Sequence, residues 1–225
     1  MLSGSTNIMN KTVIIVAGGN GSRMGSELPK QFLLLKGKPL LVHTIEKFHQ
    51  AFSDLKIIVV LPQNQMEYWE KLKSQYTVPQ HQICTGGSSR FQSVRNGMQQ
   101  INEECIVGIH DAVRPLISSA NIQKIFNEAE EKGNAIPYLP CKDSIRKIEN
   151  GKSFSVPREH YVLIQTPQCF KWSLIKDGYL LEEHKSFTDD ASVFEFLGGN
   201  IHLVEGDAFN IKITYPEDLK YAESL

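Results

Sequence analysis

Near the start of the 225-residue chain, small residues follow an apolar stretch: Ala17-Gly18-Gly19-Asn20-Gly21-Ser22-Arg23-Met24-Gly25. Glycines permit a tight turn and let backbone N–H groups approach an anion with no side chain in the way. The run therefore reads either as a phosphate cradle or as an ordinary turn. Two cations favour the cradle. Arg23 lies within the run, and Lys30 follows it in Leu28-Pro29-Lys30-Gln31-Phe32. A triphosphate attacked at phosphorus by a second phosphate brings anion towards anion. Positive charge fixed around that phosphorus lowers the repulsion and stabilises the charge spreading over its oxygens. Arginine offers a planar fork, and lysine a compact charge able to follow a departing pyrophosphate. Two familiar loops fit poorly. A dinucleotide-binding G-x-G-x-x-G would put its third glycine at Met24, and the next apolar strand ends at Leu61-Pro62 with no acid. A Walker loop would need Gly-Lys-Ser/Thr after a fixed gap, which is absent.

The elements that must position this loop alternate along the chain. Residues 12–17 (TVIIVA) and 56–61 (KIIVVL) read as strands covered on both faces. Residues 82–85, 105–110 and 135–138 continue the strands. Helical patterns occupy 39–52, 66–76, 88–101 and 119–132, with Pro39 at a first helical position and Ser88 near a helix start. Such alternation predicts a mostly parallel twisted sheet with helices on both faces. The pattern changes at 141–158, which is charged and lacks a helical stripe. Its Asn150-Gly151 pair signals a hairpin turn, so it reads as a projecting β-arm. A strand-like stretch at 161–165, helices near 171–182 and 188–197, strands near 201–205 and 210–214, and a helix from Pro216 complete the reading. One domain over 1–225, with the arm inside it, is the simplest division.

Bulk properties narrow the partners. Lysine plus arginine number 24 against 25 acids, a formal net charge of −1. This argues against coating nucleic acid through overall charge and leaves room for a local basic pocket. Hydrophobic residues at 41% and charged residues at 22% supply a sizeable core. Cys84, Cys105, Cys141 and Cys169 form no CxxC pair and no zinc spacing, as expected of reduced thiols. No apolar run approaches the ~20 residues of a membrane span, and the N-terminus lacks a signal-peptide pattern. We expect a cytoplasmic protein that engages neither membrane nor nucleic acid. None of the seven histidines forms a metal pair at helical spacing, so no dedicated protein metal cage is expected.

The loop A-G-G-x-G-S-R-M-G with L-P-K-Q-F resembles the sugar-nucleotidyltransferases. It is most similar to the 2-C-methyl-D-erythritol 4-phosphate cytidylyltransferase family of the non-mevalonate isoprenoid pathway. The likeness continues through Gly86-Gly87-Ser88-Ser89-Arg90, Ser93-Val94, His110-Asp111-Ala112-Val113-Arg114-Pro115, Asp143-Ser144 and Pro157-Arg158. It runs on through Gln165-Thr166-Pro167-Gln168, Thr188-Asp189-Asp190-Ala191-Ser192, Val204-Glu205-Gly206-Asp207 and Asn210-Ile211-Lys212-Ile213-Thr214. These matches span about residues 12–220 in consistent order and are specific as a set.

The resemblance implies a single Rossmann-like nucleotidyltransferase domain of α/β class. It implies transfer of CMP from CTP to 2-C-methyl-D-erythritol 4-phosphate, a sugar-alcohol phosphate, with release of pyrophosphate. Arg23, Lys30 and Lys212 would be catalytic. Ala17, Gly18, Gly19, Gly21, Gly87, Ser88, Ser93 and Asp111 would bind the nucleotide. Asp111, Ser144, Arg158, Thr166 and Lys212 would bind the acceptor. The family often carries an acid where Ser88 stands, and threonine where Ser144 stands. Arg114 reads as a structural partner of Asp111. Family members are homodimers whose arms cross, so Ser144 and Arg158 would serve the neighbouring subunit. Their Mg²⁺ is held mainly by the CTP phosphates, in keeping with magnesium's preference for phosphate and water. A ribitol-5-phosphate cytidylyltransferase shares the loop and Q-T-P-Q, but V-P-R and N-I-K-I-T-x-P-E-D-L look more like the isoprenoid enzyme. A nucleotide-binding protein without turnover is the alternative from another class, and retention of both cations and of Asp111 speaks against it.

Overall fold

The computed structural model describes residues 9–18 and 28–225. The elements in chain order begin with β1 (Lys11–Val16), β2 (Leu34–Leu35), β3 (Lys38–Pro39), α1 (Leu40–Ala51), β4 (Lys56–Leu61) and α2 (Gln63–Lys73). Then come β5 (Gln82–Thr85), α3 (Arg90–Met98), β6 (Ile106–Asp111), α4 (Ser119–Lys132) and β7 (Asn134–Pro140). The last half holds β8 (Ile145–Glu149), β9 (Lys152–Val156), β10 (Val162–Ile164), β11 (Gln168–Lys171), α5 (Trp172–Ile175), α6 (Asp190–Phe196), β12 (Leu203–Glu205) and α7 (Pro216–Ser224).

The main sheet runs β10-β7-β11-β6-β1-β4-β5, with β12 also paired to β7. Strands β6, β1, β4 and β5 are mutually parallel, whereas β11 is antiparallel to β6 and β7. Both faces of the sheet are covered, and the alternation within β1 shows how. Val13 and Ile15 pack with Leu41, Ile45, Phe48 and Phe126 of α1 and α4 on one side. Ile14 packs with Phe91, Val94 and Met98 of α3 on the other. This follows from the two-residue period of a strand, so an unbroken apolar run fills both cores. Helix α4 shows local stop signals at both ends. Ser118 Oγ accepts from Asn121 N–H at its start, and Gly133 takes φ +92° at its end.

The arm is a separate two-stranded ladder of β8 and β9, in register from Ile145 opposite Val156 to Glu149 opposite Lys152. Its turn takes φ +50° at Asn150 and +73° at Gly151, the left-handed pair that an Asn-Gly hairpin predicts.

The structure departs from the sequence reading at four places. Residues 210–214 form no strand: their backbone meets the sheet region through Ile213 N–H to Val113 O, because the segment is tied down by side chains instead. The helix expected over 171–182 is a short α5 followed by a 3-10 turn at Lys176–Leu180. Gln168–Lys171 before it is a strand, which four residues give too little periodicity to reveal. Ser88 is not a helix cap. Ser89 is, its Oγ accepting from Gln92 N–H.

Candidate functional site

The parallel strands β1 and β6 end side by side, Val16 in register with Asp111. Ligands of open α/β sheets bind beyond such carboxyl ends. A cleft opens there, and Ala17, Gly18, Lys30, Gly87, Ser88, Ser93, Asp111 and Lys212 line it together with Gln31, Ser89 and Arg90. Eight of the residues singled out from sequence thus converge. Gly19, Gly21 and Arg23 lie outside the described residues.

Local folding explains each placement. Lys30 opens the 3-10 turn Lys30–Phe32, whose next two side chains are buried anchors. Phe32 stacks on Trp69 with ring centroids 6.1 Å apart. Gln31 Nε2 donates to Ala17 O at 2.7 Å, fastening the lysine turn to the start of the glycine run. Across the cleft, Ser93 Oγ accepts from Gly87 N–H at 3.1 Å and donates to Ser89 O at 2.8 Å. Ser93 therefore shapes the loop that borders the cleft. A Cβ on Gly87 would stand 2.3 Å from Gln92 Cβ, so no other residue fits that approach. Ser88 donates from both N and Oγ to Gln92 Oε1.

Asp111 is the electrostatic centre. Its Oδ2 receives Lys212 Nζ at 3.1 Å and Arg114 Nε at 3.2 Å, and Arg90 Nε stands 3.8 Å from Oδ1. Burial alone would raise its pKa. Arg90, Lys212 and Arg114 overcome that and hold the carboxyl well below its usual range. Arg114 also donates to Asn210 O at 2.9 Å, tying the 210–214 segment to the end of β6.

Thr166 stands behind this centre, not in the cleft lining. Its Oγ1 accepts from Asp111 N–H at 3.1 Å and lies 3.1 Å from His110 Nδ1. His110 Nε2 lies 3.3 Å from Arg114 O, a carbonyl that can only accept. The proton therefore sits on Nε2, and the threonine hydroxyl donates to a bare Nδ1. This is a neutral imidazole, and burial lowers its pKa to about 3 against the opposing pull of Asp111.

The Gln165–Gln168 segment is a hub. Gln165 bonds Asp207 through both ends of its amide, Asn210 Nδ2 donates to Thr166 O, and Gln168 bridges Asp189 and Ala191. The motifs recognised in sequence are thereby pulled onto the end of β6. Arg90 and Asp190 were missed as site residues. Arg90 forks onto Asp190 at 2.8 and 2.6 Å across 100 residues of chain. A charged residue in each of two recognised motifs was the available signal.

Ser144 and Arg158 belong to the arm region, are exposed, and do not line the cleft of their own chain. Arg158 Nη1 donates to Lys142 O. Among the described residues no three His, Cys, Asp or Glu side chains gather to hold a metal, and Asp111 is engaged by cations. No described helix is long and apolar enough to cross a membrane.

The family model for 2-C-methyl-D-erythritol 4-phosphate cytidylyltransferase matches residues 11–225. The protein of that name from Phocaeicola vulgatus is 46% identical over 218 residues, covering 96% of this chain and 100% of its own length. Its namesake from Bacteroides fragilis is also 46% identical, with the same coverage. Among solved structures, the 4-diphosphocytidyl-2C-methyl-D-erythritol synthase of Anaerococcus prevotii has a TM-score of 0.81 at 28% identity, covering 96% of this chain and 95% of that one. The 2-C-methyl-D-erythritol 4-phosphate cytidylyltransferase of Thermus thermophilus has a TM-score of 0.77 at 31% identity, covering 96% and 98%. This chain belongs to the 2-C-methyl-D-erythritol 4-phosphate cytidylyltransferase family.

Proposed function

We propose that the chain transfers CMP from CTP to 2-C-methyl-D-erythritol 4-phosphate, forming 4-diphosphocytidyl-2-C-methyl-D-erythritol and pyrophosphate for isoprenoid precursor synthesis. The observation that carries this is the convergence of Lys30, Lys212 and Asp111 on a cleft walled by Gly18 and Gly87. In the reaction an oxygen of the acceptor's phosphate bonds to the α-phosphorus of CTP, and the bond from that phosphorus to the β-phosphate bridge breaks. The attacking phosphate is already ionised at neutral pH, so no general base is needed. Rate enhancement comes from alignment and fixed positive charge.

In this reading Gly18, Gly19 and Gly21 cradle the polyphosphate, Gly87 and Ser88 border the cytosine, and Ser93 holds that border in shape. Arg23 and Lys30 balance the polyphosphate charge, and Lys212, held beside Asp111, meets the acceptor's phosphate. The residues present suit a magnesium ion held by CTP oxygens and water, since Asp111 is committed to cations. Such an ion supplies further positive charge to the polyphosphate when bound.

The acceptor's remaining ligands come from a second copy of the chain. Ser144 and Arg158 sit beside an arm that exposes Ile148 and Phe154, apolar side chains suited to burial in a homodimer. The free thiols accord with a cytoplasmic setting. Pyrophosphate release from CTP and magnesium, measured in parallel with the methylerythritol phosphate and with ribitol 5-phosphate, tests the assignment. Release with the first acceptor is expected. Release confined to the second overturns it.

A further inference from the structure

We infer that Asp190 restrains Arg90, and that this restraint keeps one oxygen of Asp111 open to a ribose hydroxyl of the bound nucleotide. The inference rests on the nucleotide-binding reading above. The two oxygens of Asp111 are unequally loaded. Oδ2 takes both Lys212 at 3.1 Å and Arg114 at 3.2 Å. Among the described residues, Oδ1 faces Arg90 Nε at 3.8 Å, beyond hydrogen-bond length.

Two carboxylates compete for Arg90, because a guanidinium favours a two-bond fork with a carboxylate. Asp190 holds it. Nη1 reaches Oδ1 at 2.8 Å and Nη2 reaches Oδ2 at 2.6 Å, while Tyr179 Oη donates to Oδ1 at 2.6 Å. The Asp190 side chain is 1% exposed, and a buried anion stripped of its partner is strongly unfavourable. Asp111 lines the cleft with Gly87 and Ser88, close to the start of α3 where Arg90 stands. A carboxylate oxygen with room there accepts a hydroxyl and repels a phosphate. Removing the charge of Asp190 frees the fork of Arg90 to close on Asp111. That closure covers Oδ1 and competes with Lys212 for Oδ2. Asp190 is thus a positioning residue that acts by limiting the reach of Arg90.

Titration calorimetry with CTP and magnesium, beside steady-state CMP transfer, tests this on wild type, Asp190→Asn and the double variant Asp190→Asn with Arg90→Gln, which leaves neither charge of the pair bare. Asp190→Asn is expected to lower CTP affinity and kcat/KM about tenfold. Adding Arg90→Gln to it should return both values to within about threefold of wild type, because the unrestrained captor is gone. An ion pair that served folding alone would leave the double variant no better than Asp190→Asn. That result overturns the inference. If Asp190→Asn does not fold, Tyr179→Phe replaces it, keeping the ion pair but loosening it. A loss of about threefold that adding Asp190→Asn and Arg90→Gln together reverses supports the restraint, and unchanged affinity refutes it. Wild-type binding of CTP without transfer to either acceptor counts against the functional reading alone, since the order of affinities still decides the restraint.

Discussion

Two regions carry the residues assigned to this reaction, and they hold them in opposite ways. Around Asp111, charges are gathered from segments far apart in sequence, half-buried, and tied to one another and to the hub at Gln165–Gln168. On the arm, Ser144 and Arg158 are exposed and flank a ladder that pairs with no other described strand. The first region is preorganised by its own chain, which suits groups that must stabilise developing charge without first moving. The second has its backbone geometry set locally by the Asn150-Gly151 turn, and its Ile148 and Phe154 side chains are exposed.

Substitutions can break or sharpen that contrast. The largest effect is expected from Lys30→Ala, with kcat falling about a hundredfold or more and CTP affinity changing far less. Arg23→Ala should behave alike in the same steady-state assay, and full turnover in both variants would remove the cleft from the chemistry. Arg158→Ala should instead raise the acceptor KM about tenfold, with kcat within about threefold of wild type. Mixing the Lys30→Ala and Arg158→Ala chains sharpens this further. If each arm serves its neighbour, random exchange restores about a quarter of wild-type activity at acceptor concentrations well below KM, because half of the dimers then hold one intact site. Arms that served their own chain would restore none.

The cleft region should also carry an acid sensitivity. The folded His110 has its pKa lowered to about 3 by burial, against an ordinary 6.5, so the unfolded chain takes up that proton first. Its contribution is intact above the ordinary value and is lost as pH falls towards 3. The loss reaches about 1.4 kcal/mol per pH unit, and comparing urea midpoints at pH 7 and pH 5 in wild type and His110→Asn measures it. Asp111 adds a loss at lower pH still, because its folded pKa lies below the usual carboxylate range. The smallest effect is expected on the arm. Gly151→Ala, at φ +73° with open space around it, should weaken the hairpin by about 1 kcal/mol. Hydrogen exchange should report that loosening in β8 and β9, while the global urea midpoint stays put.

Much of this was readable from residue order, for reasons that differ by element. The apolar runs of β1 and β4 announce buried strands, and Ser119–Lys132 announces a helix, because hydrophobic spacing is a local signal. The arm was equally legible through Asn150-Gly151. The glycine run with Arg23 and Lys30 pointed to a phosphate site, and the family resemblance set Asp111 towards the nucleotide and acceptor. Strand β11 was missed because its backbone partners, β6 and β7, are remote and its own pattern is short. Residues 210–214 misled in the opposite direction. Alternating Ile211 and Ile213 suggest a strand, yet the segment is held through Arg114, Gln165 and Ile213 without joining the sheet.

What the amino-acid order determined by itself was the alternation of elements, the hairpin turn and the kinds of charge available. Those depend on side-chain chemistry and on neighbours within a few positions. Which charges meet was decided by the tertiary structure. Arg90 reaches Asp190 across 100 residues, and Lys212 reaches Asp111, because the sheet and the Gln165–Gln168 hub bring their segments together. Coulomb energy depends on distance in space and on burial, and neither can be read along a line of residues.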